Sequence, residues 1–348
     1  MDKELECDFF IGDRLPYVIE LMHYESLKGY KNRLNYLHIA GNFYWQQGAI
    51  SLAFKSYKQY ILTGEPYCIS TWLILLLNRL TGRKSYLWTH GWYGNETRFK
   101  ILIKKLFFGL ADKVLLYGDY ARNLMLKEGF KSEKLLTIYN SLDVEEQMQI
   151  WQNLKETSVY KEHFKNQFPI LLYIGRIQTR KKIELLIEAL NELIKNNSPC
   201  NLILIGKQTD ETNIHKLVSY YGLDRYVWFF GPCYDENILG ELIYNADVCV
   251  SPGNVGLTAM HALVYGTPVI TQNNFTRQMP EFEAISPSLT GDFFTEDSVE
   301  DLTKKIMDWV NVGFERRETI RQNCYKIIYE KYNPNKQINV LKEALNLH

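Results

Sequence analysis

Glycines and basic side chains meet at two points in the second half of this 348-residue chain. At the first, Gly175-Arg176 closes the apolar run Pro169 to Ile174, and Arg180, Lys181 and Lys182 follow. At the second, the segment 246–268 reads ADVCVSPGNVGLTAMHALVYGTP. An apolar run stops at Ser251-Pro252, the turn Gly253-Asn254-Val255-Gly256 follows, and a helical pattern runs from about Leu257 to Tyr265-Gly266. A strand, a glycine loop and a helix start aim bare backbone N–H groups and the positive end of a helix dipole at whatever lies in front of them. That arrangement suits a phosphate. Arg binds such a group bidentately and Lys as a point charge. Two loops of this kind predict a nucleotide diphosphate, with Gly175, Arg176, Lys181 and the run Asn254, Val255, Gly256, Leu257, Thr258 around it. The competing reading of Arg180 to Lys182 is a solvated surface cluster.

Other residues suggest a sugar. His90 ends an apolar run and is flanked by Trp88, Gly91, Trp92 and Tyr93, an aromatic set suited to stacking on a sugar face. The competing reading is a buried or capping histidine. Glu281 and Glu283 are both candidates for a sugar-contacting carboxylate, or else charges at a helix N-terminus. The helix Arg98 to Lys113 is apolar with Lys100, Lys104 and Lys105. It is expected to pack in the core with a solvated lysine edge; the alternative is a helix lying on an anionic membrane surface.

These residues need a scaffold of alternating strands and helices. The pattern predicts strands at 7–11, 60–64, 84–89, 113–117 and 135–139, and helices at 44–57, 70–80, 99–111 and 120–129. Residues 15–40 are mixed. The stretch 150–167 is polar and is expected to link two domains. Strands then recur at 169–174, 201–205, 227–231, 247–251 and 268–271, with helices at 183–195, 213–222, 236–245 and 257–265 and helical segments at 296–310, 316–332 and 336–347. The rhythm predicts α/β folding on two parallel sheets with crossover helices. The expected domains are 1–155, 168–332 and a terminal helix 333–348 that returns to the first.

The second half resembles the nucleotide-sugar domain of the family 4 retaining glycosyltransferases, which have the GT-B architecture of two Rossmann-like domains facing a cleft. Gly175-Arg176 with Lys181 is similar to that family's phosphate signature. Leu202 to Gly206 is similar to its next strand and glycine turn, and Val227 to Gly231, with Phe230 and Gly231, to the strand and loop that meet the base. Ala246-Asp247 with Ser251-Pro252, then Gly266-Thr267-Pro268-Val269-Ile270 and Pro280-Glu281, follow in the family's order. Trp88 to Gly91 resembles the loop that carries an active-site histidine, and Asn140 to Asp143 the motif ahead of the linker. The chain departs from the family where it expects a Glu-x7-Glu pair: those positions hold Gly253 and His261. His261 reads equally as a ribose contact or as a helix residue with no ligand. The usual first strand is also expected to be missing, with the chain starting at the next.

The resemblance implies sugar transfer with retention from a nucleotide diphosphate sugar to a glycan or lipid-linked oligosaccharide acceptor, in bacterial surface-polysaccharide synthesis. His90, Arg176, Lys181 and Glu281 would be catalytic. Gly206, Phe230, Gly231, His261 and Glu283 would join the donor loops, and Trp88, Gly91, Trp92 and Tyr93 the acceptor side. No metal or other cofactor is expected, and no Asp-x-Asp arrangement offers one a site. The chain has 40 basic and 40 acidic residues, which argues against a nucleic-acid surface. Six scattered cysteines without a CxxC pair read as reduced core residues of a cytoplasmic protein. No run reaches the ~18 apolar residues of a membrane span, so any membrane association is expected to be peripheral. The alternative function is a degenerate GT-B protein that binds nucleotide sugar without turnover; an epimerase or phosphorylase has no support in the residues.

Overall fold

The computed structural model describes residues 1–13 and 23–347. The chain forms two compact units, Met1–Ile138 with Gln337–His348, and Tyr139–Lys336.

The first unit contains β1 (Phe9–Gly12), β2 (Tyr30–Leu34), β3 (Tyr36–Ala40), β4 (Phe43–Gln46), α1 (Ala49–Leu52), β5 (Gln59–Thr63), α2 (Ile69–Leu80), β6 (Lys84–Thr89), α3 (Arg98–Leu110), β7 (Lys113–Leu116), α4 (Asp119–Lys127) and β8 (Leu135–Thr137). Strands β5-β6-β7-β8 make one parallel sheet in chain order. Leu75, Leu87, Phe107, Phe108, Leu116 and Met125 form a core that joins the sheet to α2, α3 and α4. The strand expected at 7–11 is β1, and it pairs in parallel with β2 in a separate two-stranded sheet. Part of the mixed stretch 15–40 lies outside the described residues.

The helix expected at 44–57 is mostly absent. Its first residues form β4, antiparallel to β3, and only four residues of α1 are helical. Phe43, Tyr44 and Trp45 favour a strand, and Tyr44 stacks on Tyr36 of β3 at 4.9 Å. Gly48 at φ +84° then breaks any continuous helix.

The second unit contains α5 (Val144–Trp151), α6 (Val159–Phe164), β9 (Ile170–Ile174), α7 (Ile183–Lys195), β10 (Asn201–Ile205), α8 (Ile214–Tyr220), β11 (Val227–Gly231), α9 (Glu236–Tyr244), β12 (Val248–Ser251), α10 (Thr258–Val264), β13 (Val269–Gln272), β14 (Gly291–Phe294), α11 (Val299–Val310) and α12 (Phe314–Lys331). Its parallel sheet has the order β11-β10-β9-β12-β13-β14. Strand order therefore reverses between β9 and β12, and ligands of such sheets bind outside the carboxyl ends of the strands at that point.

The polar stretch 150–167 is not a free linker. The units divide at Ile138, and α5 and α6 pack on the second unit. Trp151 stacks on Tyr325 at 4.6 Å, and the Tyr160 hydroxyl donates to the Leu242 carbonyl at 2.6 Å. α13 (Pro334–Leu345) carries the chain back, and its Leu341, Ala344 and Leu345 join Tyr86, Leu115 and Ile138 in a core of the first unit.

Candidate donor site

The loops after β9 and β12 touch at the switch point. Gly175, at φ +139°, follows β9, and the Thr258 hydroxyl of α10 donates to the Ile174 carbonyl at 2.8 Å. A Cβ on neighbouring Gly206 would stand 1.8 Å from the Gly175 carbonyl oxygen, so only glycine fits there. Gly206 in turn donates its N–H to the Gly231 carbonyl at 2.9 Å. Three glycines thus hold the carboxyl ends of β9, β10 and β11 close together. Phe230 stays partly exposed beside them, its ring 5.1 Å from that of Trp228.

Lys181 is the buried cation of this site. The short turn Thr179–Lys181 carries it inward, and its Nζ donates to the Asn254 carbonyl at 2.6 Å. Burial, with the nearby Arg180 and Arg176 cations, pushes its pKa down to about 8. Arg176 itself is exposed. The Glu281 carboxylate, which feels the Lys181 charge, is 2% exposed. One of its oxygens accepts from Asn140 Nδ2 at 2.8 Å, and the other is buried with no partner among the described residues. Burial pushes this carboxyl up, against the pull of Asn140 and Lys181. The Asn254 side-chain oxygen is likewise buried and unpartnered among the described residues. Buried polar atoms without partners are uncommon and costly, and here two of them belong to residues that interact with the desolvated Lys181, Asn254 through its main-chain carbonyl and Glu281 through its charge. Glu283 is only partly buried, and Lys181 is among the charges that act on Glu281.

The glycine loop explains the missing carboxylate at position 253. A Cβ there would meet the Arg180 carbonyl oxygen at 2.4 Å and Lys181 Cα at 2.8 Å. The turn that carries Lys181 occupies the space a side chain would need. The Val255 N–H is already taken by Gln278 Oε1 at 2.9 Å, so it is not free for an anion as expected from the sequence. No side chain caps α10, which leaves Gly256, Leu257 and Thr258 at its open start.

His261 has a partner that sequence reasoning missed. Glu236, first residue of α9, accepts on one oxygen from Gln147 Nε2 at 2.7 Å and from the Tyr265 hydroxyl at 2.8 Å. His261 Nε2 stands 2.9 Å from the same oxygen, and an ionised carboxylate there makes the ring nitrogen the donor. Burial alone would raise Glu236, but His261, Gln147 and Tyr265 outweigh it and take the pKa down to about 2. So a carboxylate does stand beside position 261, supplied from α9. The only sequence signal was a glutamate at a helix start just after the Gly231 loop.

The first unit carries the other predicted residues. His90, at the carboxyl end of β6, lies 4.8 Å from the Tyr117 ring and 6.2 Å from Tyr93. Among the described residues its Nδ1 is buried without a partner, as is Trp88 Nε1, and burial lowers the His90 pKa. Gly91, at φ +72°, fits a turn whose built Cβ would meet Leu116 at 2.5 Å. Trp92 is a core residue, which corrects its assignment to the acceptor side. It is buried against Phe108 and Phe130, with Lys104 Nζ 5.0 Å from its ring. A tryptophan on the loop side of α3 buries more apolar area by turning inward than by facing water. Among the described residues no three His, Cys, Asp or Glu side chains cluster to hold a metal.

Residues 155–327 match the family described as Glycosyl transferases group 1. The chain carries a glycosyl transferases group 1 domain. That domain contains both loops of the switch point, Lys181, Glu236, His261 and Glu281. Across more of its length the chain is 25% identical over 327 residues to an uncharacterized 41.2 kDa protein in the cps region of Klebsiella pneumoniae, covering 86% of this chain and 80% of that one. It is 27% identical over 186 residues to an uncharacterized glycosyltransferase of Methanocaldococcus jannaschii, which spans 51% of this chain and 44% of the relative. Among solved structures, Anabaena HepE in complex with UDP superposes with a TM-score of 0.67 at 16% identity, covering 85% of this chain and 80% of that one. A glycosyltransferase from Rickettsia africae gives a TM-score of 0.68 at 19% identity, covering 85% and 79%. The fold is GT-B, with a Rossmann-like parallel sheet in each unit. Among the described residues no helix is long and apolar enough to cross a membrane.

Proposed function

We propose that this protein transfers a sugar, with retention, from a nucleotide diphosphate sugar to a glycan or lipid-linked acceptor in bacterial surface-polysaccharide synthesis. The observation that carries the reading is Lys181: a desolvated ammonium at the strand-order reversal, within electrostatic reach of the half-satisfied Glu281. A desolvated cation with no carboxylate bonded to it is costly until an anion arrives. A diphosphate fits that need.

In the reaction the bond from the sugar's anomeric carbon to the β-phosphate oxygen breaks, and a bond to the acceptor hydroxyl oxygen forms as its proton leaves. Negative charge builds on the departing diphosphate. Lys181, Arg176 and the open N–H groups at the start of α10 stabilise that charge, without a metal. The free oxygen of Glu281 holds a hydroxyl of the donor sugar. Glu236 and His261 together hold the ribose. Trp88, His90 and Tyr93 of the first unit contact the acceptor. A lipid-linked acceptor places the enzyme at the cytoplasmic membrane surface as a peripheral protein. The Anabaena neighbour's complex with UDP and the Klebsiella relative's place in a cps region support the donor class and the setting.

The test is turnover of the donor by Arg176→Ala and Lys181→Ala. Each should lose at least ~100-fold, the scale of one transition-state donor; activity within a few-fold of the parent sinks the assignment. One observation favours a second reading, binding without turnover: position 253 has no room for the sugar-contacting carboxylate. Tight nucleotide-sugar binding with no transfer or hydrolysis would select it.

A further inference from the structure

The outward faces of α2 and α3 are apolar. α2 turns Ile74, Leu75 and Asn78 inward and α3 turns Phe107 and Phe108 inward. Their other sides expose Leu73, Leu76 and Leu80 on α2, and Phe99, Leu102 and Leu106 on α3. Leu80 is 84% exposed, Phe99 71%, Leu102 56% and Leu106 59%. In each helix the three residues recur at helical spacing, so each forms one stripe. The helices lie side by side: Trp72 meets Phe107 at 4.9 Å between ring centres, and Arg79 donates to the Gly109 carbonyl at 3.4 Å. The core-packed helix expected from the sequence is therefore only half right, because α3 buries one face and leaves an equally apolar one bare. Isolated exposed apolar residues need no explanation, but five leucines and Phe99 together on two adjoining helices do.

The charged residues within the two helices have one sign. α2 carries Arg79 and α3 carries Arg98, Lys100, Lys104 and Lys105, with no acidic residue in either helix. Lys104 is bound to Glu96 at 2.6 Å and Lys105 to Glu128 at 2.8 Å. Arg98 and Lys100 are exposed on either side of Phe99. A second copy of the chain seated symmetrically here would set these cations against their own kind.

We propose that the α2–α3 face docks on an anionic lipid bilayer. The six apolar side chains enter the boundary between headgroups and acyl chains, while Arg98 and Lys100 meet lipid phosphates. This deepens the membrane part of the proposed function, rests on that reading only for its biological purpose, and involves no residue of the donor site.

The test is co-sedimentation of the full chain with phosphatidylglycerol-rich or pure phosphatidylcholine vesicles. The parent should prefer the anionic vesicles by ~10-fold or more at low salt, as two or three surface cations imply, and lose that preference at high salt. Leu102→Glu with Leu106→Glu should weaken binding by ~10-fold or more, and Arg98→Glu with Lys100→Glu should abolish the anionic preference. Phe99→Trp should shift its emission to the blue and be quenched by brominated acyl chains. Unchanged thermal melts of the variants show that they fold. No binding of the parent to anionic vesicles, or binding of the Leu102/Leu106 variant within about twofold of the parent, overturns the proposal. So does a parent dimer that the same variant dissolves without any vesicle binding, since a second copy would then cover the face. A UDP thermal shift on the same samples reports the donor site separately, so failure of one reading is not failure of the other.

Discussion

The proposed role of Lys181 predicts a donor site sensitive to pH in a window where few other groups titrate. Burial and the neighbouring Arg180 and Arg176 push its pKa from 10.5 to about 8. At that value the ammonium is about nine-tenths populated near pH 7 and about one-tenth near pH 9. If the charged form binds the diphosphate, affinity for UDP should fall about tenfold over that range, or ~1.4 kcal/mol. Binding at about pH 8.5 should also take up a proton, because the diphosphate pulls the lysine pKa back up. Calorimetry in two buffers of different protonation enthalpy measures both quantities. Lys181→Arg is the control, since its guanidinium stays charged throughout and its profile should be flat. For the nucleotide-free protein the sign is opposite. The folded pKa lies below the unfolded one, so the unfolded chain holds more protons between about pH 8 and pH 10.5, and this group makes stability rise with pH there. A flat affinity profile for the parent, or an equal slope in Lys181→Arg, refutes the reasoning.

The remaining predictions address other parts of the site. Glu281→Gln should cut turnover ~100-fold while UDP affinity stays within a few-fold, because its free oxygen is assigned to the sugar and not the nucleotide; steady-state kinetics and calorimetry together check it. Glu236→Gln removes the charge on which Gln147, His261 and Tyr265 converge and should cost about 2 kcal/mol, read as a melting temperature lower by several degrees. The stability from ionised Glu236 is present above the ordinary carboxylate value of 4.5 and lost as pH falls toward about 2, so the parent's acid unfolding should be steeper than the variant's. Gly253→Ala forces a methyl group to within 2.4 Å of the Arg180 carbonyl and should destabilise by ~1–3 kcal/mol, as urea melts would show. Trp92→Ala should cost ~3–5 kcal/mol in the first unit and leave UDP affinity unchanged if that ring is core and not a sugar platform.

Most of the second unit was legible because its signals are local. Strands β9, β10 and β11 are short apolar runs that end at a glycine, and at Gly206 the geometry requires it, because a Cβ there has no room. α7 shows the same legibility, with Leu186, Ala189, Leu190 and Leu193 buried on the face its spacing marks out. What the sequence hid depends on contacts between distant segments. The pairing of Glu236 with His261 and Gln147 joins three helices, and no spacing along the chain encodes it. The stretch 150–167 looked like a linker because its polarity is clear, whereas the docking of Trp151 and Tyr160 rests on single aromatic contacts. The aromatic run at 43–45 satisfies a helical and a strand pattern equally over so few residues, and pairing with β3 decides it. Trp92 shows the same ambiguity in a side chain: a tryptophan beside a histidine reads as a sugar platform until its burial is known.

The central claim is that the glycosyl transferases group 1 domain holds a nucleotide diphosphate at the reversal between β9 and β12. The most direct measurement is a thermal-shift series with UDP, GDP, CMP and their common sugars, on the parent and on Lys181→Ala. The account predicts stabilisation by one diphosphate, ~2.7 kcal/mol at about 100 times its dissociation constant, and its loss in the variant. No shift with any nucleotide, or an undiminished shift in Lys181→Ala, would contradict it.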